Sequence, residues 1–251
     1  MKKRLLSAFM ALALCLTLLP APAWAAEADT PEGEAAQIGN TVYSTLPEAV
    51  NAAQDGNTIK LLADYKTAEG AGGEEESGLT ITKSVTLDLN GHGMDDFQVA
   101  QVNDAGETLP SGNLTVEDTS AGKNGNVTGT IELMAGKLTI NGGHFYGMSD
   151  GTSCIFVLTS ISSVSKATVV INGGVFETAS PSNGTYYVLN HQDSLTTGCT
   201  ITVNGGSFKN YNPGVTVVDP VNAKTGKIVL GTGCTTTSET VGSDTWYTVS
   251  K

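Results

Sequence analysis

The sequence contains almost no arginine, and this shortage limits the kinds of ligand that the protein can recognise. Arg4 is the only arginine among the 251 residues, and all other basic residues apart from three histidines are lysines. Arginine is the usual side chain that grips carboxylates and phosphates with two parallel hydrogen bonds. A site for acidic sugars or nucleotides in this chain would therefore depend on lysine or on a metal ion.

Positive charge of any kind is scarce. The 13 basic residues include Lys2, Lys3 and Arg4, which leaves 10 lysines beyond residue 25 against 25 acidic residues, a formal charge of −15. A surface with this excess of negative charge repels nucleic acid and anionic membranes and keeps a protein soluble. We therefore expect no nucleic-acid partner.

Cysteine is too rare and too irregularly spaced for a disulfide framework. Cys15 lies within the first 25 residues, and three more follow at Cys154, Cys199 and Cys234. None belongs to a CxxC pair and no histidine stands at metal-ligand spacing, so we predict neither a metal nor a cofactor. The odd number leaves at most one bridge, and the alternative is three separate thiols that are buried or partly exposed.

Long apolar runs are lacking except near the N-terminus. A basic start, Lys2–Arg4, precedes the apolar run Leu5–Leu19, and the small-x-small motif AWA ends at Ala25. The run of about 15 residues is shorter than the roughly 20 that a membrane-spanning helix needs. We therefore expect a secretory signal peptide that is cleaved after Ala25, export to the extracellular space or cell surface, and no membrane span after cleavage.

What the chain does contain is an internal repeat. The stretch LTINGGHF at 138–145 returns as VVINGGVF at 169–176 and as ITVNGGSF at 201–208, so that the asparagines are 31 and then 32 residues apart. Apolar and polar residues alternate before each asparagine, which predicts a strand with one buried face. Self-similarity at this period predicts a parallel β-solenoid, an all-β fold in which stacked coils bury one continuous core.

The repeat extends beyond these three copies. Upstream, VTLDLNGHGM places Asn90 in the asparagine position and LTVED places Glu117 there, and downstream KIVLGTG places Gly231 there. A second strand in each coil is expected at 154–158, 186–190 and 215–219. The outward-facing row that this alignment predicts comprises Asp88, Thr115, Thr139, Val170, Thr202 and Val229.

The NGG triplets are predicted to form the bends between the strands of each coil. Asparagine and glycine tolerate the left-handed backbone that such a bend requires, and stacked asparagine side chains can hydrogen-bond along the solenoid axis. The aromatic residues that follow should point inwards and stack. The predicted structural turn ladder comprises Asn90, Asn141, Gly142, Gly143, Asn172, Gly173, Gly174, Asn204, Gly205 and Gly206. The predicted core stack comprises Met94, Phe145, Phe176 and Phe208.

The segment YSTLPEAVNAAQDGNTIKLLADY at 43–65 differs from the repeats. Thr45 with Glu48 forms the sequence pattern of a capping box. We predict a short helix over the open N-terminal end of the solenoid, where it shields an edge that otherwise invites aggregation, followed by a first strand at 58–62. The apolar face of this helix comprises Leu46, Ala49, Val50 and Ala53.

This segment, followed by ITKSVTLDLNG, resembles the start of right-handed parallel β-helix proteins of the pectin-lyase-like superfamily, and the INGGxF copies resemble repeats of bacterial surface proteins. The resemblance implies a single right-handed parallel β-helix. It implies no one function, because that fold hosts lyases, hydrolases, esterases and non-catalytic adhesins. The expected organisation is a signal peptide at 1–25, a disordered acidic leader at 26–39 and the β-helix domain at 40–251.

The resemblance also implies that any polysaccharide-cleaving site would lie on the outward face of one ladder of strands. In the predicted outward row only Asp88 is a carboxylate, whereas glycoside hydrolysis usually needs two, and the arginine-dependent sites of the superfamily have no counterpart. His92, Asp95 and Asp96 in NGHGMDD are similar to polygalacturonase motifs. In that family the pairs lie on separate coils with a further basic motif, so we interpret this segment as a structural turn.

The remaining histidines and three tyrosines are the other candidates for contacts at the surface. His144 and His191 are expected at the surface, with no aspartate or serine partner in the same row. Tyr146, Tyr186 and Tyr211 are expected to be exposed, where aromatic rings can contact glycans.

Two hypotheses for the function follow. The first is a non-catalytic exported β-helix that acts as a secreted or cell-surface interaction module, adhesin-like, with a polysaccharide or a host or cell-surface glycan as its partner. Loops of variable length on regular coils are where recognition usually lies. The alternative is a polysaccharide lyase or glycoside hydrolase with a degenerate or unfamiliar site, which a cluster of carboxylates and lysine on one outward groove would favour.

Overall fold

A computed structural model describes residues 33–66, 79–99, 112–147, 153–158, 167–179, 188–192, 200–215 and 227–251. This part of the chain forms an all-β solenoid with a single short helix, and none of it is a helix long and apolar enough to cross a membrane. The expected signal peptide, residues 26–32 of the expected leader, Tyr186 and Cys199 lie outside the described residues.

Sheet A contains nine strands, β17-β15-β12-β9-β7-β5-β3-β1-β2 in spatial order. Their bounds are β1 Ala36–Ile38, β2 Thr41–Tyr43, β3 Thr58–Leu61, β5 Thr86–Asp88, β7 Asn113–Glu117, β9 Gly136–Ile140, β12 Ala167–Ile171, β15 Thr200–Val203 and β17 Lys227–Leu230. From β3 to β17 every neighbouring pair is parallel. The chain therefore returns to this sheet once in each coil, as a solenoid requires.

Sheet B contains ten strands along its main path and its branch. Their bounds are β4 Leu79–Ile81, β6 Gly93–Val99, β8 Asn126–Leu133, β10 His144–Gly147, β11 Ile155–Leu158, β13 Val175–Thr178, β14 Leu189–Gln192, β16 Gly206–Lys209, β18 Thr235–Val241 and β19 Asp244–Ser250. The long strands β6 and β8 serve two parallel ladders, which separate where the register shifts between Asp95 and Phe97. Ladder B1 continues through β10, β13 and β16, and ladder B2 includes β4, β11 and β14.

The inward side chains of sheet A and of both ladders form one hydrophobic cluster. Val169 and Ile171 from β12, Phe176 from β13 and Ile155 from β11 are all fully buried. Their neighbours along each strand are more exposed, which confirms the alternation that the sequence predicts.

The helix α1, Leu46–Ala52, begins where the capping pattern predicts. The Thr45 hydroxyl accepts a hydrogen bond from the Glu48 N–H at 3.2 Å. Leu46, Ala49 and Val50 are buried against β1, β2 and β3. The predicted helix and its apolar face are therefore confirmed.

Lys83 stabilises the other end of α1. Its Nζ donates to the carbonyl oxygens of Val50, Asn51 and Ala53 at 3.1, 2.6 and 2.7 Å. These carbonyls have no partner within the helix, and a cation is favoured at this end of the helix dipole. A lysine from the next coil thus fixes the helix over the end of the solenoid.

The solenoid domain begins earlier than the sequence analysis predicts. Ala36–Ile38, assigned above to a disordered leader, forms β1 and pairs antiparallel with both β2 and β3. Ala36 is fully buried in the core cluster. The predicted boundary at residue 39 is wrong because this segment extends sheet A and satisfies its backbone hydrogen bonds there.

An antiparallel hairpin covers the other end of ladder B1. β19 lies between β16 and β18 and is antiparallel to both. Both edges of β19 are therefore paired, and β18 is the outermost strand of the sheet.

Candidate functional site

The asparagines of the three NGG triplets form a hydrogen-bonded ladder. Asn172 Nδ2 donates to Asn141 Oδ1, and Asn204 Nδ2 donates to Asn172 Oδ1, both at 2.9 Å. Asn90 lies elsewhere, since its Nδ2 donates to the Leu61 carbonyl at 2.9 Å. The ladder thus links three consecutive coils and does not extend to the coil of Asn90.

The first glycine of a triplet allows two coils to approach closely. A Cβ atom at Gly173 or Gly205 would lie 2.9 or 2.4 Å from the carbonyl oxygen of Asn141 or Asn172 in the preceding coil. A side chain is excluded at both positions because the clash is with backbone. Gly142 has more room, with no neighbour nearer than 3.7 Å.

The second glycine supplies the bend. Gly143, Gly174 and Gly206 have φ values of 107°, 110° and 114°, a region that glycine enters readily and other residues avoid. Among the described residues other than glycine, those with positive φ are Asn90, Lys123 and Asn210. The left-handed conformation predicted for the triplets therefore belongs to their second glycine and not to their asparagine.

The phenylalanines after the triplets stack inside the solenoid. The ring centroids of Phe145 and Phe176 are 4.8 Å apart and those of Phe176 and Phe208 are 4.9 Å apart, with interplanar angles of 11° and 8°. Met94 is buried in the same column, but Val127 lies between it and Phe145. The repeat pattern does not predict Val127, because Val127 follows Glu117 by ten residues, whereas each phenylalanine follows its asparagine by four.

The predicted outward row of sheet A is wrong at its first position. The structure aligns Thr86, Thr115, Thr139, Val170, Thr202 and Val229. Asp88 pairs instead with Glu117. The predicted position of Asp88 in the row is therefore two residues out of register. Because side chains alternate between the two faces of a strand, a displacement by two residues does not change which residues are predicted to face outwards.

Asp88 is a buried structural carboxylate. Its Oδ1 accepts hydrogen bonds from the N–H groups of Asn90 and Thr119, each at 2.9 Å, and its Oδ2 accepts one from the Thr119 hydroxyl at 2.5 Å. The side chain is 4% exposed. Asp88 therefore holds two turns together and does not face a groove.

Asp118 holds the long connection between β7 and β8. Its Oδ1 accepts from the N–H groups of Gly91 and Ser120 at 3.0 Å, and its Oδ2 accepts from the Gly125 N–H at 2.7 Å. Burial acts to raise the pKa of this carboxyl. Hydrogen bonds from the Ser120 side chain and from the backbone of Gly125, Ser120 and Gly91 outweigh burial and hold the pKa below its usual value.

NGHGMDD forms a turn followed by a strand. Asn90 and Gly91 have φ values of 48° and 86° and make the turn, which confirms the structural interpretation of these two residues. His92 follows the turn. Asp95 lies on the outward side of β6, and Asp96 is exposed at the register shift.

A row of polar and aromatic side chains runs along the outward face of ladder B1. The strand pairings align one residue from each coil and two from the closing hairpin. We call this set the outer row, and it comprises Lys66, Asp95, Thr128, Tyr146, Glu177, Lys209, Trp246 and Glu239. Each member up to Trp246 is adjacent to an inward-facing residue and therefore points away from the core. Glu239 lies on the outermost strand, where its neighbours are also exposed.

The sequence predicts an outward row on sheet A, whereas the outer row lies on ladder B1. A signal for it was nevertheless present. The residue directly after each member of the core column belongs to the outer row, as Tyr146 follows Phe145 and Glu177 follows Phe176. An inward aromatic residue in a strand fixes the direction of the next side chain.

Four charged or ionisable side chains are linked at the centre of the outer row. His144 Nε2 lies 2.6 Å from Glu177 Oε1, and Lys209 Nζ lies 3.4 Å from Glu177 Oε2 and 3.1 Å from Asp244 Oδ2. The surface position predicted for His144 agrees with its 40% exposed side chain, but it does have a carboxylate partner in the next coil. Asn210 Nδ2 donates to Asp244 Oδ1 at 2.9 Å.

The contacts in this network shift two pKa values. The hydrogen bond to Asp244 is the largest influence on the pKa of Lys209 and raises it. Burial opposes this rise, and the charges of Glu177 and Asp244 add to it, so the pKa lies above its ordinary value. Hydrogen bonds from Asn210 and then Lys209 lower the pKa of Asp244. Both shifts favour the charged forms, so Lys209 and Asp244 form an ion pair near neutral pH.

Two aromatic residues of the outer row lie on either side of this network. Tyr146 is 38% exposed, and Trp246 pairs with Lys209 across the β16–β19 contact. Three strand steps separate them, which at about 4.8 Å for each step is about 14 Å. The two rings therefore lie along the solenoid axis with Glu177 and Lys209 between them.

Two other predicted surface residues are buried. Tyr211 is 4% exposed and packs on Phe208, with a centroid distance of 6.2 Å, and burial raises its pKa. His191 is also 4% exposed, because it pairs with the inward-facing Val157. The predictions of exposure for these two residues are wrong.

A shallow hollow lies at the start of the outer row. Its volume is about 140 Å³, and its lining includes Asp64, Lys66, Asp95, Asn126 and Thr128. Asp64 Oδ1 accepts a hydrogen bond from the Gly93 N–H at 2.8 Å, which fixes one carboxylate at the rim. His92 Nδ1 lies 3.4 Å from the same oxygen.

The cysteines of the described part take no role at this surface. Cys154 is buried and Cys234 is partly buried, and neither is in a disulfide. Burial raises the pKa of the Cys154 thiol to about 12, so it stays protonated and unreactive. Among the described residues, no three His, Cys, Asp or Glu side chains are grouped so that they could hold a metal ion.

The outer row with its hollow is the candidate site that this geometry supports. Comparison of the chain with protein-family models, with curated proteins and with solved structures finds no match.

Proposed function

We propose that this protein is an exported, non-catalytic β-solenoid of the pectin-lyase-like type that binds an uncharged polysaccharide along the outer row. It acts as a secreted or cell-surface interaction module. The observation that carries this proposal is the placement of Tyr146 and Trp246 on either side of the Glu177–Lys209 pair. An aromatic ring offers a flat apolar surface, and fixed charges beside it offer hydrogen bonds, a combination suited to sugars.

The shape of the outer row favours a polymer over a small molecule. The row follows the solenoid axis over seven strands and the isolated bridge at Tyr65, whereas the hollow at its start is far smaller than the roughly 300–1,000 Å³ that encloses a drug-sized ligand. An extended chain can contact Tyr146, Glu177, Lys209 and Trp246 in sequence. Many small contacts then replace one deep pocket.

The charges favour an uncharged chain. The outer row contains three carboxylates, Asp95, Glu177 and Glu239, against Lys66 and Lys209. The chain beyond residue 25 has a formal charge of −15 and no arginine. An anionic polysaccharide would therefore be repelled.

The test is retention of the purified protein on neutral and on uronic-acid polysaccharides, with the dissociation constant measured for any that bind. Tyr146→Ala and Trp246→Ala are each expected to raise it about tenfold, or about 1.4 kcal/mol. Phe156→Ala is the matched control, because this ring is partly exposed on ladder B2. Loss of binding in the control alone, or no retention on any neutral polysaccharide, would contradict the proposal.

A polysaccharide-cleaving enzyme is the second candidate. The observation that favours it is the pair of carboxylates on one lysine, since Glu177 and Asp244 both lie within 3.4 Å of Lys209 Nζ. Glycoside hydrolysis uses two carboxylates that flank the scissile bond. Release of new reducing ends from a bound polysaccharide, abolished in Glu177→Gln, would establish this activity and overturn the non-catalytic proposal.

A further inference from the structure

We propose that the hollow at the start of the outer row is a subsite for one uncharged sugar residue at the end of a bound chain. This inference rests on the proposed function, since it extends the same surface. It assigns a role to Asp64, Asp95, Asn126 and Thr128, which the aromatic pair does not use.

The side chains that line the hollow are mainly polar. Met94 and Tyr65 also border it, but Met94 belongs to the buried core column and Tyr65 packs against the core. The polar side chains supply two carboxylates, an amide, a hydroxyl and an ammonium group. The hydroxyls around the rim of a pyranose ring are complementary to these groups.

The polar groups can both donate and accept. Asp64 and Asp95 accept from hydroxyls, Lys66 donates to them, and Asn126 and Thr128 do both. Asp64 is held in place by the Gly93 N–H, and the Thr128 hydroxyl donates to Asn126 Oδ1 at 3.4 Å. Polar groups that are positioned before binding lose less entropy when a ligand arrives.

The hollow is continuous with the proposed polysaccharide surface. Asp95 pairs with Thr128, and Thr128 pairs with Tyr146, so one strand step leads from the hollow to the first aromatic ring. Lys66 is the first member of the outer row, beside the isolated bridge between Tyr65 and Met94. With about 140 Å³, the hollow has room for one ring and not for several.

The experiment is a titration of the ¹⁵N-labelled protein with the methyl glycosides of glucose, galactose and mannose, and with methyl glucuronide as the anionic comparison. We expect saturable amide shifts at Gly93, Asp95, Asn126 and Thr128 with at least one neutral glycoside and none with the glucuronide. Asp95→Asn is expected to weaken this binding about tenfold. Asp96→Asn is the matched control, because the adjacent carboxylate is exposed and outside the hollow.

Three outcomes would overturn the subsite. These are the absence of saturable shifts at those amides with every neutral glycoside, equal binding of the glucuronide, and equal loss in both aspartate variants. The titration does not require a polymer, so its result is independent of the retention assay. If Tyr146→Ala weakens polysaccharide binding but no glycoside shifts the hollow, the proposed function stands and the subsite falls.

Discussion

Replacement of Phe176 by alanine is expected to lower the free energy of unfolding by about 3–5 kcal/mol, the usual cost of truncating a buried phenylalanine. Phe176 is fully buried as the middle ring of the column, with stacked rings 4.8 and 4.9 Å away on its two sides. The cavity left by the missing ring cannot collapse readily, because paired strands hold successive coils about 4.8 Å apart. Urea unfolding followed by circular dichroism measures the loss.

Phe156→Ala is the matched control for this prediction. Phe156 lies on the outward side of β11, between Glu132 and Asn190, and is partly exposed. Its truncation removes the same atoms without opening the core, and we expect a loss of about 1–2 kcal/mol. Similar losses in the two variants would show that the column adds nothing beyond the contribution of a surface ring.

The repeat in the sequence was sufficient to predict the solenoid and its buried column. Alternation identified the inward residues around each NGG triplet, because a strand with one buried face requires it. Asparagine and glycine marked the bends. The separate roles of the two glycines were not predicted. The close approach at Gly205 and the positive φ at Gly206 depend on the position of the preceding coil.

Register was less predictable than the direction of side chains. Asp88 was placed two residues out of register, and Val127 was missed, because an eight-residue connection between β7 and β8 hides the match. His191 and Tyr211 were predicted to lie at the surface, but both are buried. His191 is inside because it pairs with the inward-facing Val157. Tyr211 is inside because it packs on Phe208, the last ring of the column.

The candidate site was the least predictable feature. His144 and Glu177 are 33 residues apart in the chain, and Lys209 and Asp244 are 35 apart. Their contacts depend on parallel pairing between coils and on the closing hairpin. Tyr146 was identified from its type, but Trp246 and the row that connects them required the order of strands in ladder B1.

The second large effect is expected for Asp118→Asn, which should lower the free energy of unfolding by about 2–3 kcal/mol near neutral pH. This is the usual cost of losing a hydrogen bond to a charged group when the loss leaves a buried donor unpaired. An asparagine Oδ1 can still accept from Gly91 and Ser120. Its Nδ2 would face the Gly125 N–H, which now lies 2.7 Å from a carboxylate oxygen. Two donors would then oppose each other at a site that is 4% exposed.

Asp88→Asn is the matched control because this carboxylate is equally buried and also accepts two backbone hydrogen bonds at Oδ1. Its Oδ2 partner is the Thr119 hydroxyl. A hydroxyl can turn and accept a hydrogen bond from the asparagine Nδ2. We therefore expect a loss below about 1 kcal/mol. Equal losses at both positions would show that the Gly125 donor is not the cause.

The pH dependence of the unfolding free energy distinguishes the contribution of the Asp118 charge from that of the packing of its side chain. Because its pKa is lower in the folded protein than the ordinary 3.8, ionisation stabilises the fold above that value, and the contribution is lost as the pH falls through the lowered pKa. Asparagine does not titrate. The difference in unfolding free energy between the two proteins should therefore be constant near neutral pH and shrink as the pH falls below 3.8. Urea unfolding in steps through this range measures it, and a difference that stays constant would assign the loss to packing alone.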